Sequence, residues 1–192
     1  MQAQTTSPSP ASAWLKGYYF TRFAVSAAWV VLAFTVGKAM PALAAVMLIA
    51  YPLWDALANY ADARRNGGLG ANKTQMLNVV VSLLTAVAVA VALGRSMNAV
   101  LAVFGVWAVF AGLFQLATAV RRRTSTGAQW AMILSGAQSA LAGAFFVKMA
   151  SGPATVGITD VAPYAAFGAF YFFVSAVWLA VSDARRKSAS PA

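Results

Sequence analysis

Residues 41–65 read PALAAVMLIAYPLWDALANYADARR, and their reading decides the fold. About 20 mostly apolar residues cross a hydrocarbon core of ~30 Å as a helix, and this run is long enough. It ends on Arg64 and Arg65, a stop of the kind that closes a membrane span on its cytoplasmic side. Asp55 interrupts it from within, ten residues ahead of Arg65. The stop points to topology and the carboxylate raises the question of function.

The rest of the chain repeats the pattern. Of its 192 residues 61% are hydrophobic and 9% charged, with mean hydropathy +0.70, too little charge for a water-facing domain surface. Apolar runs fall at about 20–37, 41–63, 75–93, 97–120, 127–148 and 161–182. The class expected is all-α: a polytopic membrane protein with six transmembrane helices as three tandem helical hairpins, at about 13–66, 72–123 and 127–187. Residues 1–12, polar and Pro/Ser-rich, and 188–192 are expected to be disordered tails, with the Ser9-Pro10 step able to start a helix. A cleavable leader ending at Ala42-Leu43-Ala44 is the rival reading of the first span. Lys38 and Pro41 interrupt its apolar region and another span follows at once, against that rival.

Basic residues orient the spans. Eleven of the 14, including Arg64-Arg65, Arg121-Arg122-Arg123 and Arg185-Arg186-Lys187, fall on one side; Lys38, Arg95 and Lys148 fall on the other. The positive-inside rule puts both termini in the cytoplasm. Clusters between apolar runs do not track phosphates, so the net charge of +10 does not imply nucleic acid. Asp62-Ala63-Arg64-Arg65 recurs as Asp183-Ala184-Arg185-Arg186, which suggests a repeat of about 60 residues. Asp62 and Asp183 are expected to neutralise the arginines beside them at the headgroups. Tyr18, Tyr19, Tyr60, Trp130 and Tyr164 are expected as interfacial anchors, and Trp29, Trp54 and Trp107 as core.

Small residues mark where helices touch when lipid supplies no hydrophobic drive. Gly105, Ala108 and Gly112 share one face of the fourth span, and Gly136, Ala140 and Gly143 one face of the fifth. Folding about residue 124 levels Gly112 with Gly136 and Gly105 with Gly143. The same exercise at residue 68 levels Asn59 with Asn78, Asp55 with Ser82 and Tyr51 with Thr85, a polar seam. Folding at residue 39 brings Arg22 to Asp55, and neither charge can face lipid cheaply. The candidate intramembrane polar site is therefore Asp55, Arg22, Asn59, Asn78, Ser82 and Tyr51. It serves either as structural glue or as a proton or ion path; a single deep carboxylate favours glue. Gln115 and Gln138 are read as interhelical hydrogen bonders.

Chemistry finds few tools. With no Cys and no His, disulfides, thiol nucleophiles, imidazole bases and the usual zinc and haem ligands are excluded. Glu is absent, and the external stretch MASGPATVGITDVAPY carries no phosphate fingerprint and no paired carboxylates. No enzyme activity, catalytic residue, cofactor or metal is expected.

FGVWAVFAGLFQLATAVRRR (104–123), WAMILSGAQSALAGAFFV (130–147) and YAAFGAFYFFVSAVWLAVSDARR (164–186) resemble the HdeD-like acid-resistance membrane proteins. The elements that carry the likeness are Gly112-Leu113-Phe114-Gln115 running to Arg121, and Ser135-Gly136 with Gly143 on the next helix. The resemblance is best over about 97–187, with YPLWDALANYADARRNGG as a variant first unit. It implies a short two-helix repeat of unknown function in a six-helix bacterial inner-membrane protein linked to envelope or acid stress. It supplies no catalytic residues. The function expected is a structural or interaction role in that membrane; the alternative is a small proton-coupled transporter or channel using Asp55 and Arg22. The partners expected are the lipid bilayer, a second copy of the chain or other membrane proteins, and no nucleic acid.

Overall fold

The computed structural model describes residues 10–124 and 129–188. Within them the chain forms six helices and no strand: α1 (Pro10–Leu32), extended by one π-helical turn (Ala33–Gly37), α2 (Pro41–Arg65), α3 (Lys73–Leu93), α4 (Met97–Arg122), α5 (Gln129–Ala150) and α6 (Ile158–Ser188). All six are long and apolar enough to cross a membrane. Large apolar side chains such as Leu84, Val87, Leu141 and Phe145 stand exposed on the outside, a surface suited to lipid rather than water. The lengths of these helices and their apolar outer surface are those of a multi-pass membrane protein. Of the expected tails, residues 1–9 and 189–192 lie outside the described residues, whereas 10–12 and Ser188 are helical. Pro10 opens α1, where the missing N–H costs no helical bond.

Local chemistry sets the turns. Gly67 and Gly68 adopt φ of 93° and 87°, the left-handed conformation in which a Cβ is disfavoured, and Gly68 N–H closes on the Ala63 carbonyl at 2.8 Å. Asn72 Nδ2 donates to the carbonyls of Asn66 and Gly68, locking the same turn. Ser96 caps α4 by accepting from Ala99 N–H at 3.1 Å. At the same end of the bundle Asn98 Nδ2 reaches the carbonyl of Ala154 at 3.1 Å, and Asp160 accepts from Gly157 N–H at 2.7 Å.

The helices do not divide into three self-packed hairpins. Each from α2 to α6 packs on the next, α6 returns onto α1, and α1 scarcely touches α2. The result is a ring with one open side. The reason lies in the faces: Leu15 and Tyr19 of α1 join Phe172, Ala176 and Leu179 of α6 in an apolar cluster, with Tyr19 stacked on Phe172 and Phe23 tilted against Phe173. The facing surfaces of α1 and α2 instead stand apart around a cleft whose walls mix aromatic side chains (Trp14, Tyr18, Trp54) with small ones (Gly17, Ala58, Ala61), bridged by the Arg22–Asp55 pair.

The closest contact is α4 on α5. A Cβ added at Gly112 would lie 2.6 Å from the Gly136 carbonyl oxygen and 2.7 Å from Ala140 N; one at Gly105 would lie 2.8 Å from Gly143 O. Gly143 presses equally on Gly105 O. Ser139 Oγ donates across the seam to the Ala108 carbonyl at 3.0 Å. Backbones meet here because no side chain stands between them.

Apolar packing fills the half of the ring away from the arginine clusters. Trp29, Leu48, Val89, Leu101, Phe104, Phe146 and Val161 form one buried core there. The half nearer the arginines holds the polar residues.

Candidate functional site

All six helices line a cavity of about 110 Å³, room for several waters, in the arginine-side half of the ring. Its inner end lies at Tyr51, Trp107 and Tyr164, where the apolar core begins; its outer end lies at Asp62, Thr74, Arg122 and Gln129. Between them the walls carry Arg22, Asp55, Asn59, Gln75, Asn78, Gln115, Thr118, Gln138 and Tyr171. The cavity is a vestibule, blind at the end where Tyr51, Phe104, Trp107 and Tyr164 pack edge to face.

Asp55 sits on the wall as the hub of a hydrogen-bond network. Arg22 Nη2 donates to its Oδ1. Ser82 Oγ and Asn59 Nδ2 donate to Oδ2 at 2.9 and 3.0 Å, and Trp107 Nε1 donates to Ser82 Oγ at 3.0 Å. Arg22 is itself held by Tyr18 Oη at 3.1 Å and lies 4.4 Å from the ring centroid of Phe172, a cation–π contact. The carboxylate thus joins α1, α2 and α3, and through Trp107 α4. Pro52 removes a helical hydrogen bond one turn before Asp55, in the stretch of α2 that lines the cavity.

Of the residues the sequence singled out, Asp55, Arg22, Asn59 and Ser82 are bonded together. Asn78 lines the cavity but its buried Oδ1 has no partner among the described residues. Tyr51 shares a 3.4 Å hydrogen bond with Ser26, and Thr85, levelled with Tyr51 by sequence, instead donates to its own helix at Val81. Gln115 Nε2 donates to Met132 O at 3.2 Å, and Gln138 accepts from Tyr171 Oη at 2.8 Å, each joining two helices.

Two expectations are corrected. Asp62 and Asp183 are both 4% exposed and pair across helices rather than only with the arginines that follow them. Asp62 takes Arg122 of α4 at 3.0 Å and Gln75 of α3 at 3.1 Å; Asp183 takes Lys16 of α1 at 3.2 Å as well as Arg186 at 2.7 Å. An inward-facing carboxylate finds a partner wherever the ring brings a cation level with it. Tyr19 and Tyr164 are not interfacial anchors either: Tyr19 is buried against Phe172, and Tyr164 lines the cavity, sharing a 2.9 Å hydrogen bond with Ser139.

The vestibule itself was not visible in the sequence. Gln75, Thr118 and Gln129 are polar positions near span ends and Tyr171 lies mid-span, and only the six-helix ring makes them converge. The signal available was a density of amides on the arginine-side halves of α3, α4 and α5. The four carboxylates are each paired with a cation or a backbone N–H, and the described residues contain no cluster of His, Cys, Asp or Glu able to hold a metal.

Residues 77–148 match the family described as a short repeat of unknown function, DUF308. That is the membrane-protein family of the HdeD-like proteins. The match covers α4 and most of α3 and α5, so it contains the glycine seam and one side of the vestibule. No curated protein and no solved structure matches the chain.

Proposed function

We propose that this is a non-enzymatic protein of the bacterial inner membrane, both ends cytoplasmic, that takes a small polar solute into its vestibule from the cytoplasmic side. The observation that carries the reading is the cavity: polar side chains from six helices surround it and an apolar core closes its far end. A purely structural bundle gains nothing from polar groups turned inward around empty space, since each costs free energy unless hydrogen-bonded. Arg22 and Arg122 against Asp55 and Asp62 leave the wall without net charge, which suits an uncharged solute. The arginine clusters at one end of the ring support the orientation.

A proton relay has less support. Asp55 already accepts from Arg22, Asn59 and Ser82, and the other carboxylates near the vestibule are similarly engaged. A link to acid or envelope stress rests on the HdeD-like resemblance; survival of a deletion strain at low pH tests it.

The chain has no cysteine, which makes the test direct. In membrane vesicles, Gln115→Cys and Ser135→Cys should react with a membrane-impermeant maleimide presented on the cytoplasmic face, and glycerol should slow the reaction. Val89→Cys, in the closed half, should not react. Failure of Gln115→Cys to react with the maleimide, or equal labelling at position 89, overturns the vestibule.

A further inference from the structure

The open side of the ring, between α1 and α2, is a cleft of about 440 Å³. Trp14, Gly17 and Thr21 line one wall and Leu57, Ala58 and Ala61 the other. Tyr18, Arg22 and Trp54 line both this cleft and the central vestibule and stand between the two. The cleft lies on the outer face of the bundle, beside exposed Leu57 and Leu53, where lipid lies if the chain spans a bilayer.

Two of the three shared residues are incompletely bonded. Arg22 Nε and Trp54 Nε1 are buried N–H groups with no partner among the described residues. Both can only donate, so a guest that completes them must bring acceptor oxygens. Arg22 is already neutralised by Asp55, and a further anion would leave uncompensated negative charge in a dry site. The oxygens are therefore uncharged. Trp54 stands eight residues before Asp62, ~12 Å along the helix, deeper than the polar end of a bilayer phospholipid reaches in a core of ~30 Å. The guest is soluble in hydrocarbon. Trp14 and Tyr18, stacked with centroids 6.3 Å apart, give the cleft a wall of aromatic faces suited to a flat ring.

We propose that the α1–α2 cleft is a side entrance for a neutral, lipid-soluble carbonyl compound of the quinone type. Its ring lies against Arg22 and Trp54, its carbonyl oxygens accept from their N–H groups once these side chains turn toward the cleft, and its hydrocarbon tail stays in the cleft. The proposal rests on the chain spanning a bilayer, and not on the solute reading of the vestibule.

The full chain in lipid nanodiscs, titrated with decylubiquinone and followed by tryptophan fluorescence quenching, tests it. A Cβ at Gly17 meets no atom within 4 Å, so Gly17→Leu fills the cleft without disturbing the ring. Quenching should saturate, and Gly17→Leu should weaken it by at least about tenfold with an unchanged melting temperature. Trp54→Phe keeps the ring and removes one donor, and should weaken binding about three- to tenfold. Maleimide labelling of Gln115→Cys should be the same in the Gly17→Leu background, separating this entrance from the vestibule. Quenching that never saturates, full affinity in Gly17→Leu or Trp54→Phe, or displacement of the quinone by an equal concentration of oleate, each overturns the assignment.

Discussion

On one face, α4 meets α5 through Gly105, Gly112, Gly136 and Gly143 with main chain against main chain. One turn around the same helices, Gln115, Thr118, Gln129 and Gln138 look into a cavity. The seam tolerates no added atom, and its polar side chain, Ser139, is bonded to the Ala108 carbonyl; the vestibule has space and, at Asn78, an unbonded amide oxygen among the described residues. In lipid, where apolar surface gains little by meeting apolar surface, close backbone approach holds the first contact. Hydrogen bonds and ion pairs across the ring hold the second. The two regions should therefore respond to substitution in opposite ways.

The largest effect is expected at the seam. Gly112→Leu drives a side chain into the Gly136 carbonyl, and main chain cannot move aside as a side-chain tip does. The cost should exceed the ~1–3 kcal/mol typical of overpacking, and no folded protein should be recovered by size exclusion in detergent. A monodisperse, heat-stable Gly112→Leu would mean the seam is not what holds α4 to α5.

Next comes the hub of the vestibule wall. Asp55→Ala leaves the Arg22 guanidinium buried without its counter-charge, an expected loss of about 3–5 kcal/mol read as a fall in melting temperature. Exchanging the pair, Arg22→Asp with Asp55→Arg, should recover part of that loss. If the exchange is no more stable than either single change, the two charges are not acting on each other.

Asp62→Asn should cost less, about 1–2 kcal/mol, because Arg122 keeps partial access to solvent and Gln75 can still bond the amide. The fall should shrink in high salt, which reaches Arg122, 23% exposed, more readily than Arg22, 13% exposed. Equal salt sensitivity at both positions would remove the distinction between inner and outer pairs.

The smallest effect separates the two regions most clearly. Asn78→Leu puts a larger apolar group on the cavity wall in place of an unbonded amide, and should change stability by less than about 1 kcal/mol in either direction. A loss as large as that at Gly112 would show that the space around Asn78 is as closely packed as the seam.

Much of the seam was legible in the sequence because it depends on a short-range rule. Glycines spaced by three and four residues share a face whatever the rest of the chain does, and a connection of only a few residues between neighbouring helices keeps them level. The Asp55–Ser82 level was legible for the same reason, since α2 and α3 join through a short glycine turn. The partners of Asp62 and Asp183 were not. They come from α4 and α1, and no local rule says which non-neighbouring helix a carboxylate will face. The tandem-hairpin expectation failed at α1 and α2 because sequence adjacency does not decide which faces fit, and α1 found its aromatic match on α6.

The sequence by itself determined that the chain is helical, has six runs fit to cross a membrane, and carries its positive charge chiefly on one side. Those properties follow from composition and from the period of a single helix, and need no neighbour. Only the tertiary structure decided that the helices close into a ring open between α1 and α2, apolar at one end and polar at the other. A cavity belongs to no single helix: it is the space left where six faces fail to meet.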